Sequence, residues 1–146
     1  MSDTLYDRDF YSWALAQAAK LRARSPDIDW EHVAEEIEAL SRTEARELRS
    51  RYAVLLLHLL KWLFQPERPS PSWETRIRRE RREILDHLLD NPGLKSRRDA
   101  LFAEAYLRAR LEAALETGLS EEDFPPTNPF TEAQAMDSSF WPEPGR

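Results

Sequence analysis

Cysteine is absent from the 146 residues. That excludes disulfides, thiolate nucleophiles and structural zinc of the Cys type, and it fits a reducing compartment. Glycine is scarce, with three residues at 93, 118 and 145, so no glycine-rich phosphate loop is available. Long apolar runs are missing as well. The richest stretch, residues 53–64, contains His58 and Lys61 and falls short of the ~20 apolar residues that span a bilayer. Met1-Ser2-Asp3-Thr4 has neither the basic region nor the apolar stretch of a signal peptide. Basic charge is not in surplus: 21 Lys and Arg face 27 Asp and Glu, for a net charge of -6. General binding to nucleic acid or to anionic membrane favours basic surfaces, so this balance argues against both. Together these absences predict a cytoplasmic protein with no membrane span.

What is present is helical periodicity, punctuated by ten prolines. Proline breaks helices and glycine ends them, so the punctuation divides the chain. A first helix is predicted over residues 7–24, with Phe10, Trp13, Leu15, Ala18 and Leu21 in contact positions. Asp29 is a suitable N-cap for a second helix, with Glu31 near its positive end. In that helix Val33, Ile37, Leu40, Leu48, Tyr52, Leu55, Leu59 and Trp62 follow steps of three and four. The phase survives Ser41-Arg42-Thr43-Glu44, which otherwise resembles a fresh capping box. One continuous helix to Phe64, roughly 50 Å long, is therefore preferred over a break near Ser41.

Pro66, Pro69 and Pro71 form the next connection. A third helix is expected over residues 72–90, with Trp73, Ile77, Ile84, Leu85, Leu88 and Leu89 on one face. A fourth is expected over residues 96–117, closed by Gly118 in the left-handed region. Beyond it, Phe124, Phe130, Phe140 and Trp141 lie among prolines, an aromatic density that suggests a strap packed on the helices. The predicted fold is all-α: one domain over residues 1–146, an antiparallel bundle of four main helices (residues 4–118) around a long second helix, and an irregular strap (119–146). The five tryptophans are expected to act as packing anchors.

His32 with Glu36, and Glu83 with His87, are spaced as helix-surface pairs. No histidine follows a glutamate at the Glu-x-x-His spacing of di-iron bundles, so no metal and no cofactor are predicted. Glu35, Glu36 and Glu38 suit the positive end of a helix dipole better than acid–base work. Arg76, Arg78, Arg79, Arg81 and Arg82 crowd the third helix and could contact nucleic-acid phosphates. They spread around the helix rather than lining one face, however, and Glu74, Glu80 and Glu83 surround them, which points to a solvated, ion-paired surface. Three charges interrupt apolar faces: Glu44, Arg81 and Arg110. Buried charges need partners, yet a hairpin register placing Arg81 beside Leu56 leaves Glu44 ~18 Å away along the helix. The same register gathers His58, Lys61, Arg81 and Arg110 toward one end of the bundle. That predicts a cationic cluster filled by the chain's own carboxylates (Glu121, Glu122 and Asp123 follow closely) or by an external anion.

Several segments carry a resemblance. They are Tyr6-Asp7-Arg8-Asp9-Phe10-Tyr11-Ser12-Trp13, Asp29-Trp30 with Ala34-Glu35-Glu36-Ile37-Glu38, and His58-Leu59-Leu60-Lys61-Trp62 with Gln65-Pro66. Further on come Ser70-Pro71-Ser72-Trp73, Glu116-Thr117-Gly118-Leu119, Phe124-Pro125 and Phe140-Trp141-Pro142. The chain resembles, over nearly its whole length, the bacterial family called domain of unknown function 29. The resemblance implies a helical fold in a bacterial intracellular setting and assigns no activity or catalytic residue. The expectation is a non-enzymatic interaction or regulatory module, with an unknown protein partner or self-association. The alternative is a small-molecule or anion binder, with enzymatic activity open, that uses the cationic cluster.

Overall fold

The computed structural model describes residues 4–65 and 71–143, and among these the only regular structure is helix. Its α-helices are α1 (Leu5–Arg8), α2 (Phe10–Arg22), α3 (Trp30–Phe64), α4 (Pro71–Asp90), α5 (Arg98–Thr117) and α6 (Glu132–Met136). The connecting prolines Pro66 and Pro69 lie outside the described residues. The predicted first helix is interrupted at Asp9, which leaves helical geometry and lends its carboxylate to the Ser12 amide as the cap of α2. At the other end of α2, Arg24 adopts φ 55. The Ser25 amide reaches back to Lys20 O and the Arg24 amide to Leu21 O, a Schellman closure built without the usual glycine.

The long second helix is continuous, 35 residues from Trp30 to Phe64. Ser41 and Thr43 do not start a new helix because their hydroxyls donate backwards, to Glu38 O at 2.6 Å and Ala39 O at 3.0 Å. Such back-bonding to the preceding turn accompanies a hydroxyl residue held inside a helix, not one capping its start. Pro71 opens α4 at the first helical position, where its missing N–H is not needed. A 3-10 turn, Pro92–Arg97, leads into α5, and Gly118 closes α5 at φ 77 as predicted.

Contacts divide the chain into two compact units, one up to Thr43 and one from Glu44 onward. The second holds most of the core. Leu48, Tyr52, Leu55, Leu56, Leu59 and Leu60 of α3 are fully enclosed, together with Ile77 and Ile84 of α4. Each such side chain contributes roughly 1.5–3 kcal/mol by leaving water. Ala105, Ala109 and Ala113 give α5 a smooth buried edge. Arg51 meets Glu83 at 3.7 Å and Glu44 meets His87 at 3.5 Å. These pairs set α3 and α4 antiparallel, three to six residues, or one to nearly two turns, from the predicted register. Glu44 is thus partnered by His87 and Asn91 at the helix surface. The Glu83–His87 pair read from sequence gives way to these cross-helix contacts.

The strap is ordered by a buried polar network. Glu132 of α6, 7% exposed, accepts from the Tyr52 hydroxyl at 2.7 Å and from Arg98 through two bonds of 2.9 Å. Phe124 and Phe130 are buried in the same core. Trp62 lies 5.0 Å from Trp141, centroid to centroid. Trp13 is buried in the first unit, but Trp30 is 64% exposed and anchors nothing there.

Candidate functional site

The four residues expected to form a cationic cluster are held by separate partners. His58 is buried, and its Nδ1–H donates to Val54 O at 2.8 Å. Burial, helped by the nearby charges of Lys61 and Arg76, lowers its pKa and keeps the ring neutral. Lys61 reaches Glu116 at 3.4 Å and lies 5.3 Å over the Trp73 ring. His58 also feels Glu116, so these two residues share one electrostatic setting. Arg110 donates Nε–H to Phe124 O at 3.2 Å and approaches Glu121 at 3.7 Å. Arg81, 4% exposed, donates to Ala135 O at 2.7 Å and Phe140 O at 2.8 Å, with its guanidinium stacked 5.1 Å over Trp141. Much of the positive charge is therefore spent on fastening the strap. Strap carbonyls do as much of this as carboxylates, a role that periodicity alone could not reveal.

A different surface stands open in the unit that ends at Thr43. Between α2 and the first turns of α3 lies a groove of about 430 Å³, walled by Phe10, Trp13 and Leu21 on one side and Val33, Ile37 and Leu40 on the other. Ala14 and Ala18 form its floor, and their small side chains leave the space unfilled. Sequence periodicity placed Phe10, Ile37 and Leu40 in contact positions. The structure instead leaves them 49%, 62% and 67% exposed. Helical spacing identifies an apolar face without saying whether anything in the chain covers it.

One wall of the groove is clamped by polar bonds. The Tyr6 hydroxyl donates to Glu36 at 2.7 Å, and the Tyr6 ring stacks on His32 at 3.9 Å. His32 Nδ1 meets Asp29 at 2.8 Å, the Trp13 indole donates to the same carboxylate at 3.0 Å, and the Asp29 amide donates to Gln17. The Glu36 bond pushes the Tyr6 pKa up to about 12, so the phenol stays a donor. The His32 bond holds the Asp29 carboxyl below its usual range, and the Asp29 bond raises His32. Tyr6, Asp29, Trp13 and Glu36 all fall within the sequence segments that carry the family resemblance. Their spacing alone did not indicate that α1 folds onto α3.

Glu36 is the charged residue lining the groove, while Glu31, Glu35 and Glu38 lie on the opposite side of α3 from Val33, Ile37 and Leu40 by helical phase. From Trp30 to Ser41 the helix carries Glu31, Glu35, Glu36 and Glu38 and no Lys or Arg. Among the described residues no group of three His, Asp or Glu side chains is placed to hold a metal ion, and no helix is long and apolar enough to cross a membrane. No curated protein and no solved structure matches the chain. The model of the family described as domain of unknown function DUF29 matches residues 5–141, and the chain belongs to that family.

Proposed function

We propose that this protein is a non-enzymatic interaction module of the bacterial cytoplasm, and that its N-terminal hairpin receives the apolar face of a helix from a protein partner. The observation that carries this reading is the unfilled groove between α2 and α3. A two-helix unit cannot enclose its own apolar faces, and a third helix is the simplest cover. Burying the half-exposed side chains of Phe10, Leu21, Ile37 and Leu40 offsets about 1 kcal/mol each against the cost of association. Glu36, at the groove, favours a partner with a Lys or Arg flanking its apolar stripe. The same carboxylate disfavours a glutamate-flanked helix and an anionic lipid surface. The cytoplasmic setting rests on the lack of cysteine.

The test uses the full chain and two synthetic amphipathic helices that share one leucine stripe, one flanked by lysines and the other by glutamates. The lysine peptide is expected to bind, with calorimetric affinity falling at least ~10-fold in Ile37→Lys and in Ala18→Trp, which fills the floor. Equal binding of both peptides, or binding that survives both substitutions, counts against the reading. A dimer in sedimentation that dissociates in Ile37→Lys would instead make a second copy the occupant.

A further inference from the structure

A second open surface lies on the outward face of α4, in the unit that begins at Glu44. A groove of about 630 Å³ runs between this helix and the strap. Arg78, Arg79, Arg82 and Leu85 wall it on the helix side, and Met136 and Ser138 on the strap side. Helical spacing explains the gathering: positions 78, 82 and 85 and positions 75, 79 and 82 recur at steps of three and four. The arginine run is thus less dispersed than its sequence suggests, because only Arg76 of the five stands off the groove.

The charges here are not balanced internally. Arg78 is bound to Glu74 at 2.7 Å. Arg79 and Arg82 are exposed and make no ion pair among the described residues. Arg81 also belongs to the wall, and its Nη1 is buried without any acceptor, although Nε and Nη2 are both bonded to the strap. Of the two carboxylates at the groove, Glu83 is engaged by Arg51 at 3.7 Å, which leaves Asp86. A buried donor without an acceptor is costly, and native structures rarely leave one so. Asp137 lends Arg81 only a longer-range field.

We propose that this groove binds a phosphoryl group, as a small phosphomonoester whose organic part lies on Leu85 and Met136. Guanidinium forks match phosphate oxygens in both geometry and charge. Arg79 and Arg82, three residues apart, have Cβ atoms about 5–6 Å from one another, close enough for both side chains to reach one phosphate. The Thr75 and Ser138 hydroxyls at the groove supply further donors. The volume is that of small-molecule sites, which run roughly 300–1,000 Å³. This site is independent of the hairpin groove and of its partner.

The experiment titrates the full chain with inorganic phosphate and with phenyl phosphate at constant ionic strength, read by calorimetry and thermal melting. Phenyl phosphate is expected to bind and to raise the melting temperature. Arg79→Gln/Arg82→Gln, both on exposed positions, should weaken it at least ~10-fold while leaving the ligand-free melt unchanged. Arg76→Gln, on the same helix but off the groove, should bind like the parent. Tighter binding of phenyl phosphate than of phosphate supports the apolar wall, whereas equal binding reassigns the ligand to free phosphate and overturns the monoester part. No binding of either, or affinity retained in the double variant, overturns the site. Oligonucleotide binding that Arg76→Gln weakens as much as the double variant does would overturn it in favour of nucleic acid.

Discussion

His32 and His58 respond to acid in opposite directions, because one ring is bonded to a carboxylate and the other is buried beside cations. Asp29 raises the His32 pKa. Its contribution to stability is therefore fully present below the ordinary histidine pKa near 6.5 and is lost as pH rises through the raised folded value. Burial lowers the His58 pKa. Stability tied to its neutral ring is present above about 6.5 and is lost as pH falls below that value. Melting curves at pH 5.5 and 8 should separate them: His32→Gln costs more at the lower pH, and His58→Gln costs more at the higher. The same sign for both would show that one of these settings is misassigned. Glu132 offers a third measurement. It is buried and ties Tyr52 and Arg98 to the strap, so Glu132→Ala leaves the Tyr52 hydroxyl without its acceptor. A loss of about 1–3 kcal/mol in denaturant unfolding is expected, with faster proteolysis of the strap. Arg98 is partly exposed and can turn to water, which keeps the figure below that of a fully enclosed ion pair.

Helix α3 shows how far periodicity carries and where it stops. Its course from Trp30 to Phe64, the αL closure at Gly118 and the antiparallel direction of α4 were legible, because they follow from hydrophobic phase, glycine geometry and the short connection. The register itself differs by three to six residues. The same phase gave Ile37 and Leu55 equal standing, yet Leu55 is enclosed while Ile37 is 62% exposed. Phase reports which side of a helix is apolar, and burial depends on how many neighbours arrive. Likewise Leu85 and Leu89 shared a predicted face with Ile84 and Leu88 but lie in solvent, since an arc of that width exceeds what one contact covers. The acceptors of Arg81 were not legible either. They are main-chain carbonyls of Ala135 and Phe140, which leave no mark in side-chain chemistry. Continuity across Ser41 can be checked with Arg42→Pro. Were Ser41 a cap, residue 42 would be the first helical position and would accept proline readily. In a continuous helix the substitution removes a hydrogen bond and clashes with the preceding turn, at about 3 kcal/mol. A melt unchanged to within ~0.5 kcal/mol would mean that a break is tolerated there.

Across the molecule the means of stabilisation are unequally distributed. Among the described residues up to Thr43 the buried apolar side chains are Trp13 and Ile28, whereas the unit from Glu44 encloses leucines of α3 together with aromatic residues of α5 and the strap. Polar bonds among Tyr6, Asp29, His32 and Glu36 shape the smaller unit, but each exchanges with water and adds little to net stability. Opening free energies follow buried apolar contacts. Amides of α2 should therefore exchange hydrogen well ahead of those of α5 in the isolated chain. A helix seated between α2 and α3 would remove that difference by covering Phe10, Ile37 and Leu40. The prediction is thus a pair: low α2 protection alone, and protection that rises with the lysine-flanked peptide while α5 is unchanged. If α2 is already as protected as α5 without a partner, the hairpin is complete in itself and its open groove needs no occupant.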